Sequence, residues 1–170
     1  MREVVIVSGA RTPVGRFGGS FKDVSAPDLG AAAIKAALDR SGISPNMVDE
    51  VVIGNAVQAA EAGYAARLSS LKSGIPEETP TIAINRQCSS GLEAINMAAQ
   101  LIKTGEADIA VAGGTENMSQ VPYLIDYKAR FDGLRMGDST LVDGLTEGLG
   151  CPVNRSVSYT HLTLPTICSV

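Results

Sequence analysis

The sequence predicts an α/β fold built on a parallel sheet. Four short apolar runs, rich in β-branched residues, alternate with longer segments that have helical periodicity. Strands that alternate with helices of ten or more residues favour parallel pairing through right-handed crossover connections. The composition agrees with this class, because 45% of the 170 residues are hydrophobic and 19% are charged, as in an ordinary globular domain.

The first predicted elements are a strand, a loop and a helix. Residues 4–7 form a continuous β-branched run, which predicts a strand buried on both faces. Residues 8–20 are too rich in glycine for a helix and predict a loop. A helix is predicted to begin at residues 25–28, with a serine N-cap and a proline in the first turn, and to end near Gly42.

Three further strands and two further helices complete the predicted core. The strands are predicted at residues 51–53, 81–85 and 109–112, and the helices at residues 63–72 and 89–103. The last of these helices is predicted to bury one apolar face, made of Leu92, Ile95, Ala98, Ala99 and Ile102. Between Glu116 and about Gly150 the periodicity weakens, which predicts a loop-rich segment with one or two short helices.

The charge and cysteine patterns exclude several function classes. A net charge of −4 disfavours a nucleic-acid partner, and no apolar stretch reaches the roughly 18 residues of a membrane span. Three separated cysteines and a single histidine predict neither a disulfide framework nor a metal site. The first residues carry no signal-peptide pattern. We therefore expect a cytoplasmic protein with no bound cofactor.

Cys88 is the candidate catalytic residue. It falls in a polar turn between the strand at 81–85 and the helix at 89–103. The unpaired N–H groups and the dipole of a helix N-terminus stabilise a thiolate, and ligands of parallel sheets bind beyond the carboxyl ends of the strands. The alternative is a small buried structural cysteine, and the spacing alone leaves both open.

Several segments, in order along the chain, resemble signatures of the thiolase family, the acetyl-CoA acetyltransferases and 3-ketoacyl-CoA thiolases. The nucleophile motif is matched by residues 85–92, the Arg-Thr-Pro signature by 10–19, the Gly-Gly-x-Glu-x-Met-Ser signature by 112–119, and the start of the loop domain by 135–138 and 143–145. The resemblance covers residues 1–150. It implies a thiolase-like N-terminal domain, whose mainly parallel mixed sheet has helices on both faces, plus the start of a loop-rich insertion.

The resemblance also divides the chain. Residues 1–118 are expected to form the first part of the thiolase N-terminal core, and residues 119–156 the start of the loop domain. Residues 157–170 resemble a translated sequencing adapter and are expected to be non-native. The last 15 residues carry no charge, and they include His161 and Cys168, which we expect to have no functional role.

The implied reaction is acyl transfer between acyl-CoA and acetyl-CoA, with coenzyme A thioesters as substrates. Cys88 would carry the acyl group as a thioester, in 3-ketoacyl-CoA thiolysis or acetoacetyl-CoA synthesis. Thiolases bring a histidine and a second, acid/base cysteine from their C-terminal half, and residues 1–156 contain no histidine. The chain is therefore expected to be inactive alone, and the full-length protein to form a homodimer or homotetramer. The alternatives are a truncated domain that only self-associates, or another condensing enzyme such as a 3-ketoacyl synthase.

The roles of the other motif residues are less sharply defined. Gly113 and Gly114 are expected to give helix–sheet packing room, whereas Glu116 and Asn117 either order the floor of the site or face solvent. Cys151 is expected to be a structural loop cysteine. Three further side chains are expected to be core or subunit contacts, namely Met118, Tyr123 and Met136.

Overall fold

The computed structural model describes residues 2–153, which form two compact units that divide after Gln120. The predicted tail, residues 157–170 with His161 and Cys168, lies outside the described residues. The domain boundaries expected from the sequence remain predictions.

The first unit is an α/β unit whose strands are all parallel. Its elements are α1 (Ala26–Ser41), β1 (Glu50–Gly54), α2 (Ala65–Lys72), β2 (Thr81–Ile84), α3 (Ser90–Thr104) and β3 (Ala110–Gly114). The strand order is β2-β1-β3, with Val52 of β1 opposite Ile82 of β2 and Ala112 of β3. The predicted α/β class, three of the four predicted strands and the order of the helices are therefore confirmed.

The ends of the helices follow local capping chemistry. At the start of α1 the Ser25 hydroxyl accepts a hydrogen bond from the Asp28 N–H at 3.3 Å. At its end Gly42 has a φ of 70°, the left-handed conformation that glycine adopts without strain, and Gly105 ends α3 in the same way. Across residues 2–153 no helix combines the length and the apolar character needed to cross a membrane.

Strand β1 is the centre of the core, because it is buried on both faces. Val51 and Val52 have no exposed surface and point to opposite sides of the sheet. On one side, Val51 belongs to a cluster with residues of α1 and α2, such as Ile34 and Ala66. On the other side, Val52 packs with Ala94 and its neighbours in α3. Helices therefore cover both faces of the sheet, as expected.

The predicted buried face of α3 is largely wrong. The helix carries two apolar stripes, and the one that packs on the sheet contains Ala94, Met97, Ala98 and Leu101. Leu92 is 65% exposed, and Ile95 is also exposed. The small side chains of Ala94 and Ala98 explain the choice, because they let the helix lie close to the sheet.

The predicted strand at residues 4–7 is also wrong. Its side chains Val5, Ile6 and Val7 are between 65% and 85% exposed, and these residues make no ladder pair in the described sheet. The segment is held near its ends instead, by the Arg2–Asp108 ion pair and by a hydrogen bond from the Arg40 guanidinium to the Gly9 carbonyl at 2.8 Å. A β-branched run predicts a strand only where a neighbouring strand edge accepts it.

The second unit is rich in loops, as the weak periodicity predicted. Its elements are β4 (Tyr123–Leu124), α4 (Ala129–Asp132), β5 (Val142–Asp143) and α5 (Gly144–Leu149). Strands β4 and β5 pair antiparallel, with Tyr123 opposite Asp143. The two short helices were expected, whereas this small two-stranded sheet was not.

Glycines let α3 approach the carboxyl end of the sheet closely. A Cβ added at Gly54, the last residue of β1, would lie 2.4 Å from the Ser90 carbonyl carbon and 2.5 Å from the Gly91 nitrogen. Gly114 of β3 is also tight, because a Cβ there would lie 3.3 Å from the Gly91 Cα. Only glycine at position 54 allows this contact between backbones.

This contact predicts that Gly54→Ala destabilises the fold. The added methyl group forces α3 away from the sheet, so we expect the free energy of unfolding to fall by about 3 kcal/mol, at the upper end of usual overpacking costs. Gly113→Ala is the matched control, because an added Cβ at this neighbouring strand position meets nothing within 4 Å. Urea denaturation measures both variants, and equal midpoints for the two would contradict the close approach.

Asp49 connects β1 to β3 at the amino-terminal end of the two strands, opposite to the end that carries Gly54 and Gly114. Its carboxylate accepts hydrogen bonds from the Asp108 N–H at 2.8 Å and from the Ile109 N–H at 2.9 Å. Both hydrogen bonds stabilise the carboxylate and hold the pKa of Asp49 below its usual value of 3.8, the one from Ile109 contributing most and the one from Asp108 next.

The lowered pKa predicts a pH-dependent contribution of Asp49 to stability. Because the folded pKa lies below the unfolded one, the stabilisation is present above pH 3.8 and is lost as the pH falls through the folded value. We expect Asp49→Ala to be less stable than the wild type at pH 7, with a difference that shrinks below pH 3.8. Urea titrations between pH 7 and pH 3 test this, and a difference that grows on acidification would refute it.

Candidate active site

Cys88 lies in the turn between β2 and α3, and its side chain is exposed. Strand β2 ends at Ile84, and α3 begins at Ser90 after Ser89 as N-cap. The predicted strand–turn–helix placement is therefore confirmed, and Cys88 is not buried among the described residues, whereas its catalytic role stays a prediction. The thiol is positioned at the carboxyl edge of the sheet, where solutes reach it.

Cys88 lies two residues before the first residue of α3. The Ser89 side chain makes no capping hydrogen bond to the helix. The nearest guanidinium along the chain, that of Arg86, is paired with the Glu93 carboxylate at 2.7 Å. A helix N-terminus carries a partial positive charge, which in general favours an anion that binds beside it.

The residue before Cys88 has a strained backbone. Gln87 has a φ of 52°, a left-handed conformation that is unfavourable for a residue with a Cβ. Its N–H donates to the Asn85 Oδ1 at 3.1 Å, and its carbonyl accepts from the Ser90 Oγ at 2.5 Å and from the Ser90 N–H at 3.0 Å. The peptide groups before and after Gln87 are therefore both held by hydrogen bonds. A strained backbone conformation persists only where its surroundings fix it in this way.

Ser90 closes the turn from inside the protein. Its buried hydroxyl accepts from the Arg86 N–H at 2.8 Å while it donates to the Gln87 carbonyl. One side chain therefore satisfies two backbone groups of the turn, in addition to starting α3.

Asn85 links the Cys88 turn to the loop that follows β1. While its Oδ1 accepts from Gln87, its Nδ2 donates to the Ala56 carbonyl at 2.9 Å. The asparagine three residues before the cysteine therefore has a structural function, because it ties the turn to the neighbouring strand.

Glu116 holds the other side of the same loop. Its Oε1 accepts from the Asn55 Nδ2 at 2.9 Å, and its Oε2 accepts from the Ala56 N–H at 2.8 Å and the Val57 N–H at 3.3 Å. The Asn55 Nδ2 also donates to the Thr115 carbonyl at 2.9 Å. The carboxylate thus joins the end of β3 to the end of β1 and does not simply face solvent.

Comparison with known proteins places these residues in a family. Residues 4–158 match the family described as "Thiolase, N-terminal domain". The chain belongs to the thiolase family. The resemblance of the sequence motifs to this family is confirmed.

Two similar proteins are named as acyltransferases. The chain is 49% identical over 143 residues to an acetyl-CoA acetyltransferase of Cupriavidus necator, a match that covers 84% of this chain and 36% of that protein. It is 47% identical over 152 residues to a probable acetyl-CoA acyltransferase of Staphylococcus aureus, covering 86% and 38%. The chain spans a little over a third of the length of these relatives.

The other thiolase motif residues have mixed outcomes. Gly114 packs against α3 as expected, whereas Gly113 has open space around it. The Asn117 side chain donates to the Phe21 and Val24 carbonyls, at 2.9 Å and 2.6 Å, and so fastens the loop before α1. The expectation of a core position is wrong for three exposed side chains, Met118, Tyr123 and Met136, and their role as subunit contacts stays a prediction. Cys151 is half-buried in the second unit.

Sequence reasoning missed two residues that support the Cys88 turn and the neighbouring loop. Asn55 is 1% exposed, and it follows directly after the buried apolar run of β1, where a polar residue at a strand end is a usable signal. The second is Ser90, whose hydroxyl bonds two backbone groups of the turn. No local sequence signal distinguishes it from Ser89.

The two adjacent serines give a test of the turn. Ser90→Ala leaves the Arg86 N–H without its partner, so we expect the free energy of unfolding to fall by about 1–3 kcal/mol. Ser89→Ala is the matched control and is expected to change it by less than about 0.5 kcal/mol, because its hydroxyl makes no capping bond. Thermal unfolding of both variants measures the difference, and a larger loss for Ser89→Ala would contradict this geometry.

Proposed function

We propose that the chain supplies the nucleophile, Cys88, of a CoA-dependent acyl transfer. The observation that carries the proposal is the exposed thiol on a strained turn, directly before α3, in a chain of the thiolase family. The named relatives, an acetyl-CoA acetyltransferase and a probable acetyl-CoA acyltransferase, support acyl-CoA and acetyl-CoA as the substrates.

In the thiolytic direction, the Cys88 thiolate attacks the 3-keto carbon of a 3-ketoacyl-CoA. A carbon–sulfur bond forms, the bond between carbons 2 and 3 breaks, and the departing acetyl-CoA carbanion takes up a proton. The acyl group remains on the protein as a thioester until the thiol of a second coenzyme A accepts it and releases Cys88. Synthesis of acetoacetyl-CoA is the same sequence in reverse.

Proton transfer in this scheme needs groups outside residues 1–156. These residues contain no histidine, and the chain spans a little over a third of its named relatives. General acid–base catalysis contributes typically 10²–10⁴-fold to a rate. We therefore propose that the 170-residue chain alone does not turn over, and that Cys88 works together with acid/base groups of a complete thiolase.

A chimera tests the role of Cys88. Residues 1–153 would replace the aligned segment of the Cupriavidus necator acetyltransferase, and acetoacetyl-CoA thiolysis would be measured as acetyl-CoA release. We expect an active chimera, and we expect Cys88→Ala to lower kcat by more than about 10³-fold because the nucleophile is lost.

Two controls complete this experiment. Cys151→Ala in the chimera is expected to leave the rate unchanged, and the 170-residue chain alone is expected to show no turnover. An active Cys88→Ala chimera would overturn the assignment, and so would selective inactivation by alkylation of Cys151.

A further inference from the structure

We propose that Glu116 is a positioning residue for Cys88, acting from the neighbouring strand through a chain of hydrogen bonds. The inference rests on the proposed function, since it names a further residue of the same site. Glu116 follows β3, whereas Cys88 follows β2, and β1 lies between the two strands. Any influence of one on the other therefore passes through the loop after β1.

The first link is the convergence of three donors on one carboxylate. The Asn55 side chain and the N–H groups of Ala56 and Val57 all donate to Glu116. A carboxylate accepts at both oxygens and donates at neither, so it suits a cluster that contains donors only. An amide at position 116 would keep one acceptor and place an N–H₂ group opposite another donor.

The second link is Ala56, whose two backbone groups face different side chains. Its N–H donates to Glu116 at 2.8 Å, and its carbonyl accepts from the Asn85 Nδ2 at 2.9 Å. The peptide positions on both sides of Ala56 therefore depend on Glu116, and the position of the Asn85 side chain depends on the Ala56 carbonyl.

The third link reaches the strained residue beside the nucleophile. The Asn85 Oδ1 accepts from the Gln87 N–H at 3.1 Å, and Gln87 keeps its left-handed conformation next to Cys88. A residue with such a φ persists only where its surroundings over-determine it. Loss of Glu116 loosens the loop after β1, then Asn85, and then the turn that keeps Cys88 at the start of α3.

The chain contains a matched control for this carboxylate. Asp49 also accepts two backbone N–H groups and also joins β1 to β3, but at the opposite edge of the sheet. Asp49→Ala removes the same kind of interaction from the same strand pair without contact to the Cys88 turn. A purely structural role of Glu116 predicts that both substitutions affect Cys88 equally.

The test measures alkylation of Cys88 in the 170-residue chain by iodoacetamide. Trypsin separates the cysteines, because Cys88 falls in peptide 87–103 and Cys151 in peptide 136–155, which serves as the internal reference. At pH 7 we expect Glu116→Ala to slow labelling of Cys88 about two- to fivefold, because the loosened turn no longer holds the thiol in one position.

Three comparisons make the result specific. Asp49→Ala is expected to leave Cys88 labelling at the wild-type rate. Glu116→Gln retains one acceptor for the Ala56 N–H and is expected to slow labelling less than Glu116→Ala. In an Asn85→Ala background, which already breaks the chain, Glu116→Ala is expected to have no additional effect. If Glu116→Ala does not fold, judged by circular dichroism, Glu116→Gln carries the same comparisons.

Opposite results would overturn the positioning role. These are wild-type labelling in both Glu116 variants, equal slowing by Asp49→Ala, or undiminished slowing in the Asn85→Ala background. Because labelling needs no acyl transfer, the two proposals fail separately. An inactive chimera with Glu116-dependent labelling contradicts the proposed function alone, and an active chimera with Glu116-independent labelling contradicts the positioning role alone.

Discussion

The contact between α3 and the carboxyl end of β1 is the constraint on which the site depends. Backbone meets backbone there, at Gly54 and Gly91, with no room for a side chain on β1. Small residues of α3, Ala94 and Ala98, extend the close packing along the helix. Because the start of α3 is fixed against the sheet, the residues between β2 and α3 must reverse direction within a few positions. The left-handed conformation of Gln87 is the result of that short connection.

Two carboxylates complement this packing at the two ends of the same strand pair. Parallel strands leave N–H groups unpaired where the chain enters or leaves the sheet, and an acceptor-only side chain satisfies them. Asp49 does so at the amino end and Glu116 at the carboxyl end. The same interaction has different consequences, because only the carboxyl end carries the turn with Cys88.

Much of the fold was predictable because its signals are local. The serine and glycine caps of α1 and the apolar run of β1 fixed both elements within a residue or two. The prediction of a strand at residues 4–7 failed because a strand also requires a pairing partner, and these residues pair with neither outer strand of the sheet. The face of α3 failed for a similar reason, since two apolar stripes were present and only the proximity of β1 decided between them.

The candidate site also has a part that local sequence predicts and a part that only the tertiary fold determines. Cys88 was predictable because strand, turn and helix are adjacent in the chain, whereas its support comes from Asn55 and Glu116, about 30 residues to either side. A buried polar side chain is costly without hydrogen-bond partners, and the partners of Asn55 and Glu116 come from distant positions, so the tertiary fold specifies this network. A thiol at a helix start is chemically simple. The strained Gln87 beside it is tolerated because Asn85 holds the peptide group before Gln87 and Ser90 holds the one after it.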